Sequence, residues 1–458
     1  MDPELECFMR IKPKPLARRG SHALADGATC LAGAPAGAGA AVAFAAGGYD
    51  DTIVLLDSDA KLVAELEGHP GGTNALAFAP PPAAGAAGAA LLLVSAGEDG
   101  TAAVWDCGAQ ACRARLACEG EDADKTPDGH TVSCVSCSPD GALAACAAGK
   151  TVHLFALREE DVEGTRRVFP PSPHGVINDI RFAGRDRIVA ASYGGVVLFG
   201  IQPGQQGLAL EHASNILSVS ATPDLSWIVG GCMDATVHIW RVQRRASPAE
   251  LPEPEAAAAE AAPRDGAKGS GGAGKEQAGG EKEEAAEGEE DEEEEDEDDG
   301  PRVSVVEGPD GGMLEILELT CGGYSGKVNR ADFGVSVDGD PLLASSGGNQ
   351  CMIWDFGGPG PAGSVPAITL GHTKAIDCQA WHPSKPGVLV TGGRDGRILL
   401  YEAHNAAEGM DEGMPALCGP AAVDPDPSDE VVALAWTGGG ALASAHSNGD
   451  VKIWDWEE

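Results

Sequence analysis

The sequence of 458 residues has few basic and few aromatic residues, and it contains no long hydrophobic run. Lysine and arginine number 31 against 71 aspartate and glutamate residues, so the formal net charge is −40, and aromatic residues make up only 5%. Negative charge repels phosphate, and no aromatic platform with interleaved lysine and arginine is present, so we expect no direct nucleic-acid partner. No stretch has the length and apolarity of a transmembrane helix, so we expect no membrane partner.

The most apolar stretch, Ala28–Gly48, follows several basic residues and could be interpreted as a targeting sequence. Its alanine and glycine residues are too weakly hydrophobic to insert into a membrane, and three acidic residues stand near the first methionine. We interpret the stretch instead as part of the repeats described below.

The cysteines show neither a disulfide framework nor a metal-binding pattern. Thirteen are scattered singly, and an odd number favours free thiols in a reducing intracellular compartment, either the cytoplasm or the nucleus. Cys134 and Cys137 have the spacing of a metal-binding pair. They lie on a predicted strand, however, where residues three apart point to opposite faces, so we expect buried, inert thiols and no metal site.

Motifs of enzymes and cofactor sites are also incomplete. Gly149-Lys150-Thr151 resembles the end of a phosphate-binding loop, but Ala144 stands where that loop requires glycine, and a strand rather than a helix follows. A hairpin turn is the simpler interpretation. We therefore predict no catalytic residues, no cofactor and no enzymatic activity.

An acidic segment interrupts the chain at residues 245–300. It holds 21 acidic and five basic residues, a net charge of −16, with almost no large apolar side chain. Such a segment has little to bury that could offset the entropy of ordering, so it is predicted to be disordered. We expect residues 1–244 and 301–458 to form two parts of one fold on either side of it.

What the sequence does contain is a repeat, clearest in Gly371–Tyr401. Three short apolar runs, separated by turn residues, predict a small antiparallel sheet that must pack on similar neighbours. Eight segments share this pattern, with starts 40 to 54 residues apart except across the acidic segment, which is typical of a propeller. The final strands are Thr52–Asp57, Thr101–Asp106, Thr151–Leu157, Val196–Ile201, Thr236–Val242, Gln350–Phe356, Arg397–Ala403 and Val451–Trp456.

Two dipeptides recur in these repeats. Trp-Asp occurs at Trp105-Asp106, Trp354-Asp355 and Trp454-Asp455, and Gly-His at Gly68-His69, Gly129-His130 and Gly371-His372. With these motifs the chain, apart from residues 243–311, resembles the WD-repeat (WD40) β-propeller family. The resemblance implies an all-β fold of four-stranded antiparallel blades, most simply eight, with seven as the alternative.

The resemblance also implies a hydrogen-bonded His–Ser/Thr–Asp–Trp tetrad within some blades. The matching residues are His69, Ser95, Asp99 and Trp105 in one blade, and His372, Thr391, Asp395 and Tyr401 in another, where tyrosine replaces tryptophan. The last blade keeps Ser444 and Trp454 but has Asn448 at the acid position. Because Ser, His and Asp repeat at structural positions, we interpret them as scaffold residues rather than a catalytic triad.

An N-terminal strand is predicted to close the ring. The last repeat shows only three strands, and Glu6–Lys12 is strand-like without a blade of its own. We predict that Glu6–Lys12 supplies the missing strand, so that no long sheet edge is exposed. Arg19–His22 and Ala28–Ala32 are predicted to begin the first blade.

By resemblance, the turns between second and third strands lie on one face that binds peptides or partner domains. The candidate partner-binding residues on this face are Tyr49, Glu98, Tyr193, Met233, Lys327, Lys374, Arg394 and Ser447. This favours a protein-interaction scaffold or adaptor within a larger assembly. The alternative is a carrier or chaperone of basic proteins, such as histones or ribosomal proteins, that uses the acidic segment.

Overall fold

The computed structural model describes residues 13–37, 41–82, 90–118, 131–202, 204–205, 207–245, 302–357, 360–362, 364–405 and 416–456. Within these ranges all regular structure is β-strand except for two single-turn 3₁₀ helices, Glu163–Thr165 and Ala403–Asn405, so the predicted all-β fold is confirmed. In the same ranges no helix is long and apolar enough to cross a membrane. The predicted strand Glu6–Lys12 and the acidic segment from residue 246 onward lie outside the described residues.

The strands of the first half of the chain form antiparallel blades, in which strands that follow each other in the chain pair with each other. Blade 1 consists of Ala28–Gly33, Phe44–Gly48, Thr52–Leu56 and Leu62–Glu67. Blade 2 consists of Thr73–Phe78, Leu92–Gly97, Thr101–Asp106 and Ala111–Ala117. Blade 3 consists of Val132–Cys137, Leu143–Ala148, Thr151–Ala156 and Arg167–Val168.

Blades 4 and 5 share a long strand. Blade 4 consists of Ile177–Ala183, Arg187–Gly200 and the first part of Leu208–Ala221, and blade 5 of the rest of that strand with Trp227–Cys232, Val237–Arg244, Met313–Cys321 and Arg302–Glu307. Arg187–Gly200 itself turns back, because the Ile201 N–H donates to the Asp186 carbonyl at 3.0 Å. Gly194 and Gly195, with φ of 87° and 154°, form the turn. This strand therefore supplies both the second and the third strand of blade 4.

The last three blades each include a segment that is distant in sequence. Blade 6 consists of Val328–Val335, Pro341–Gly347, Gln350–Asp355 and Ala367–Thr369, with Ala416–Cys418 added in parallel. Blade 7 consists of Ile376–Trp381, Val388–Gly393, Ile398–Glu402 and Ala422–Val423, with Lys14–Pro15 added in parallel. Blade 8 consists of Val431–Trp436, Leu442–His446, Asp450–Asp455 and the N-terminal strand Ala17–Ala23.

The eight blades form a closed ring. The first strand of each blade packs against the first strand of the next, and that of blade 8 packs against that of blade 1. At this last boundary the Gly438 N–H donates to the Ala34 carbonyl at 2.8 Å. The predicted eight-bladed propeller is therefore confirmed. The described residues before 246 and after 301 belong to one compact unit.

The core lies between neighbouring blades. Second and third strands are buried on both faces, as in Leu92–Gly97, where every residue is buried. Between blades 1 and 2, Ile53 and Leu55 of one blade pack with Leu93 and Trp105 of the other. Because both faces of a blade contact a neighbour, these strands are short continuous apolar runs instead of alternating ones.

The predicted identity of the closing strand was wrong, although an N-terminal strand does close the ring. Ala17–Ala23, rather than Glu6–Lys12, pairs with Asp450–Asp455, and Arg19 Nε donates to Asp455 Oδ2 at 3.0 Å. Arg19–His22 therefore belongs to the last blade and not to the first. An outermost strand has one solvated edge and is largely exposed, so it needs no apolar pattern by which sequence analysis could find it. Leu16, 1% exposed, holds the segment in the core between blades 7 and 8.

Candidate functional site

The turns between second and third strands lie beside the segments that lead into the blades. The Ile177 N–H, entering blade 4, donates to the Gly149 carbonyl in the turn of blade 3 at 2.8 Å. The Ile376 N–H makes the same contact with Gly348 between blades 7 and 6, also at 2.8 Å. We call the turns and these entry segments together the turn face. All eight candidate partner-binding residues lie on it.

Blade 2 supports its part of the turn face with a chain of hydrogen bonds. His69 Nδ1 lies 3.0 Å from Asp99 Oδ1, and its Nε2 lies 2.7 Å from Ser95 Oγ, which also accepts a 2.8 Å bond from Trp105 Nε1. Arg115 Nη1 adds a 3.3 Å contact to Asp99 Oδ2. Burial lowers the pKa of His69 despite the neighbouring carboxylate, which favours the charged form. The four predicted residues thus form one connected network.

Blade 7 has a related network with a different end. His372 Nδ1 lies 3.0 Å from Asp395 Oδ1, and its Nε2 lies 2.8 Å from Thr391 Oγ1. The Tyr401 hydroxyl donates to the Leu370 carbonyl at 3.0 Å. Although burial opposes ionisation, hydrogen bonds from His372 and from the Thr373 N–H hold the pKa of Asp395 well below its usual range. A fixed, ionised Asp395 keeps the backbone of the neighbouring turn in place.

In two other blades the tryptophan N–H belongs to a network with members that the sequence analysis did not identify, namely Tyr324, Ser345 and His446. In blade 6, Trp354 Nε1 donates to the Tyr324 hydroxyl at 3.2 Å, and that hydroxyl lies 2.5 Å from Ser345 Oγ. In blade 8, His446 Nε2 lies 3.0 Å from Ser444 Oγ, which accepts a 2.9 Å bond from Trp454 Nε1. Tyr324 stands four residues before the first strand of its blade, as His69 does, so that spacing could have revealed it, whereas His446 comes from the end of a second strand.

Three exposed apolar side chains of the turn face belong to blades 4 and 5. Tyr193 is 63% exposed and Met233 is 55% exposed. Tyr193 pairs with Asn215, and the Met233 N–H donates to the Asn215 carbonyl at 2.9 Å, so one residue joins the two turns. Val176 is 49% exposed and follows Gly175, where a β-carbon would lie 3.5 Å from the Tyr193 β-carbon. Tyr193, Met233, Val176 and Asn215 are called the Tyr193 patch below; Val176 and Asn215 were not predicted.

Arg394, Lys374 and Lys327 lie on the turn face near blades 6 and 7. Arg394 Nε donates to Asp377 Oδ2 at 2.8 Å and its Nη2 to Asp377 Oδ1 at 3.4 Å, a two-point ion pair. The Arg394 side chain is still 50% exposed. Lys374 Nζ donates to the Arg394 carbonyl at 3.5 Å, and Lys327 is exposed. The arginine is therefore anchored, and one of its edges remains open to solvent.

The remaining candidates lie near blades 8, 1 and 2. The Tyr49 side chain is 65% exposed. Gly27 separates Tyr49 from Ser447, since a β-carbon at Gly27 would lie 2.7 Å from the Ser447 carbonyl oxygen and 3.5 Å from the Tyr49 ring. Glu98 accepts a 3.2 Å bond from the Thr131 hydroxyl of the next blade. The eight candidates are thus distributed over the turns and entry segments of several blades.

The motif that resembled a phosphate-binding loop and the cysteine pair with metal-binding spacing both form part of the blade structure. Gly149 and Lys150 connect two paired strands as a two-residue hairpin, with φ of 55° at Gly149. Cys134 packs between blades 3 and 4, whereas Cys137 packs between blades 2 and 3. Burial raises the pKa of each thiol to about 12, so both are protonated at neutral pH. In the described ranges, no group of three or more His, Cys, Asp or Glu side chains could hold a metal ion.

Comparison with known proteins finds a family whose repeat matches several segments of this chain. The family described as WD domain, G-beta repeat matches this chain at residues 60–106, 124–155, 205–241 and 364–402. These ranges end within or just after the third strands of blades 2, 3, 5 and 7.

Two curated proteins are similar over short stretches. Polyadenylation factor subunit 2 of Schizosaccharomyces pombe is 29% identical over 82 residues, 18% of this chain and 15% of that protein. Protein lethal(2)denticleless of Drosophila melanogaster is 33% identical over 61 residues, 13% of this chain and 8% of that protein. The aligned stretches thus cover only a small part of either relative.

Proteins with these repeats generally act as non-enzymatic scaffolds that bind other proteins. Four segments of this chain match the repeat, and its blades form a ring of eight, so both the sequence and the fold indicate this family. The chain is a WD-repeat protein with the β-propeller fold of that family.

Proposed function

We propose that this protein is a non-enzymatic scaffold, an adaptor within a larger assembly, and that the Tyr193 patch is the centre of its partner-binding surface. The observation that carries the proposal is that three exposed apolar residues, Val176, Tyr193 and Met233, lie in adjoining segments of two neighbouring blades. Tyrosine and methionine are enriched at protein interfaces, and tyrosine is frequent among the residues that dominate binding energy.

The frame beneath the patch favours binding. Asn178 Nδ2 donates to Asn215 Oδ1 and to the Ile216 carbonyl, both at 2.7 Å, so the backbone between the two turns is tied to blade 4. A partner that docks on a fixed surface loses less conformational entropy than one that must order it. Arg394 and Tyr49, elsewhere on the turn face, are proposed as further contacts at the rim.

The test is a quantitative pull-down with the full chain. Tyr193→Ala with Met233→Ala should remove the main partners and leave the melting temperature unchanged, because both side chains are mostly exposed. Val337→Ala is the matched control, since Val337 is 67% exposed but lies between the first two strands of blade 6, away from the turn face. If the double variant retains the wild-type partner set, the binding surface lies elsewhere.

A second candidate function is a carrier or chaperone of basic proteins, and the net charge of −16 in residues 245–300 favours it. Deletion of residues 246–300 distinguishes the two. A scaffold keeps its partners after the deletion, whereas a carrier loses them and its lost partners are strongly basic. Either function is proposed for a reducing compartment, the cytoplasm or the nucleus, because the twelve cysteines in the described ranges are free.

A further inference from the structure

The outer edge of blade 5 differs from the outer edges of the other blades. A fifth strand, Arg302–Glu307, pairs antiparallel with Met313–Cys321 over all six of its residues, without a bulge. It is the last strand of its sheet, so its second edge has no strand partner among the described residues. Six residues in a strand present a free edge of about 20 Å.

The other outer strands carry features that discourage pairing with a further strand. Blades 1, 2 and 8 have a register shift where the outer strand pairs, and their outer strands contain charged residues. In blades 3, 6 and 7 the outermost strand has only two or three residues. In blade 4 the outer part pairs over only four residues before the strand continues into blade 5. The blade 5 edge lacks such protection, since its four central residues, Val303 to Val306, carry no charge.

The exposed face of this strand is apolar with acidic neighbours. Val303 is 61% exposed, Val305 is 42% exposed and Met313 is 46% exposed. In the register, Val305 lies opposite Glu315 and Met313 opposite Glu307. Arg302, the only cation of the strand, lies opposite Glu318, on the face that alternates with Val303 and Val305. A strand added at the free edge lies directly beside Val303, Val305 and Glu307 on this face, and one strand farther from Met313 and Glu315.

The sequence just before the strand strengthens the negative charge. Glu281–Asp299 contains 15 acidic residues and one lysine, and Asp299 is three residues from Arg302. A run of negative charge this close in sequence to the strand favours basic segments as partners.

We propose that Arg302–Glu307 binds an extended peptide segment of another protein by strand addition, and that this segment alternates apolar with lysine or arginine residues. Backbone hydrogen bonds to the free edge would supply affinity, and the valines and carboxylates would select the side chains. A second copy of this chain is disfavoured, because pairing two such edges would bring two runs of 15 acidic residues together. The inference does not depend on the turn face, so each can fail without the other.

The test uses the full chain and a fluorescent ten-residue peptide of alternating lysine and valine with blocked ends. Fluorescence anisotropy should show binding that weakens with salt, and hydrogen exchange should show new protection at Arg302–Glu307. The same peptide with an N-methyl group on every amide has no edge with free N–H groups, and it should bind at least about tenfold more weakly because two or more backbone hydrogen bonds are lost. A glutamate–valine peptide should not bind.

Variants locate the site on the protein. Val303→Lys with Val305→Lys should abolish peptide binding, and Val337→Lys, at an equally exposed valine in another blade, should not change it. The proposal is overturned if the N-methylated peptide binds as well as the parent, which would leave charge attraction alone. It is also overturned if the wild-type chain shows no binding, or if it sediments as a dimer that the double variant dissociates, which would make a second copy the occupant.

Discussion

Blades 2 and 5 each have a buried tryptophan at the equivalent position of the third strand, but the two indole N–H groups differ in their hydrogen bonding. In blade 2, Trp105 donates to Ser95, whereas Trp240 Nε1 of blade 5 is fully buried and has no hydrogen-bond partner among the described residues. The register explains the difference, since Trp105 pairs with Leu93 and Trp240 with Ile228, so Gly230 stands where Ser95 does. A β-carbon at Gly230 would lie 2.8 Å from Ile216 Cγ2, so the space for serine is already filled.

Blade 5 replaces the network with a stack of rings. The His212 and His238 ring centroids are 4.3 Å apart, and His238 lies 4.5 Å from Trp240. His238 Nδ1 lies 3.1 Å from the Thr320 hydroxyl, while its Nε2 is buried without a hydrogen bond in the described structure. One blade is thus held by charge-assisted hydrogen bonds and the other by packing, which shows that the blade geometry does not require the tetrad.

The largest expected difference between the two blades concerns the acidic residue. Asp99→Ala should cost about 3 kcal/mol of unfolding free energy, because buried His69 and the partly buried Arg115 lose their carboxylate. Asp234→Ala in blade 5 should cost less than about 1 kcal/mol, since exposed Asp234 bonds only within its own turn, to Thr236. Urea denaturation of both variants makes the comparison; equal losses would mean that the network adds nothing.

Acid should affect blade 5 through His238. Burial and then the neighbouring His212 lower the pKa of His238 to about 3, while Asp234 and Arg302 act in opposite directions. Below pH 6.5 the unfolded chain therefore binds a proton that the folded chain does not, so stability falls as pH falls, by about 1.4 kcal/mol per pH unit. Between pH 6.5 and 5 the loss is about 2 kcal/mol from this residue.

Replacing the ring tests this effect. His238→Gln should flatten the decline of the urea midpoint between pH 6.5 and 5, whereas His404→Gln, at a side chain that is 51% exposed, should leave it unchanged. Burial raises the pKa of nearby Glu318, which acts in the opposite direction at lower pH, so the measurement stays above pH 5. An unchanged slope in His238→Gln would show that the histidine is not held neutral by the fold.

Filling the gap at Gly230 tests whether packing excludes the tetrad. Gly230→Ser should destabilise the protein by about 1–2 kcal/mol, because the new β-carbon overlaps Ile216. In the Gly230→Ser/Ile216→Ala double variant the two losses should be less than additive, since removing Ile216 Cγ2 gives the serine room. Strict additivity in a double-mutant cycle would contradict the steric explanation.

The smallest expected difference concerns the tryptophans themselves. Trp105→Phe and Trp240→Phe both remove ring volume, but only the first leaves the Ser95 hydroxyl without the indole donor. Trp105→Phe should therefore cost about 1 kcal/mol more than Trp240→Phe. Equal melting temperatures for the two variants would mean that Trp105 stabilises the protein through packing alone.

Much of the fold could be predicted because it is local. Strand–turn–strand units such as Gly371–Tyr401 pair residues close in sequence, so their turn residues and apolar runs reveal them one blade at a time. The tetrad residues of blade 2 could be found for the same reason, since Ser95, Asp99 and Trp105 have fixed places in one hairpin. The candidate residues at the turns also follow from these hairpins, although their binding role stays a prediction.

The sequence alone indicated the repeats, most simply eight, and most of their turns, because backbone pairing within a hairpin depends on near neighbours. Tertiary structure decided the closing strand Ala17–Ala23, the edge strand Arg302–Glu307 and the Tyr193 patch. The first two lie at the rim of a sheet, where exposure removes the need for an apolar pattern. The patch joins residues of two blades, and which side chains remain exposed there depends on how the blades pack against each other.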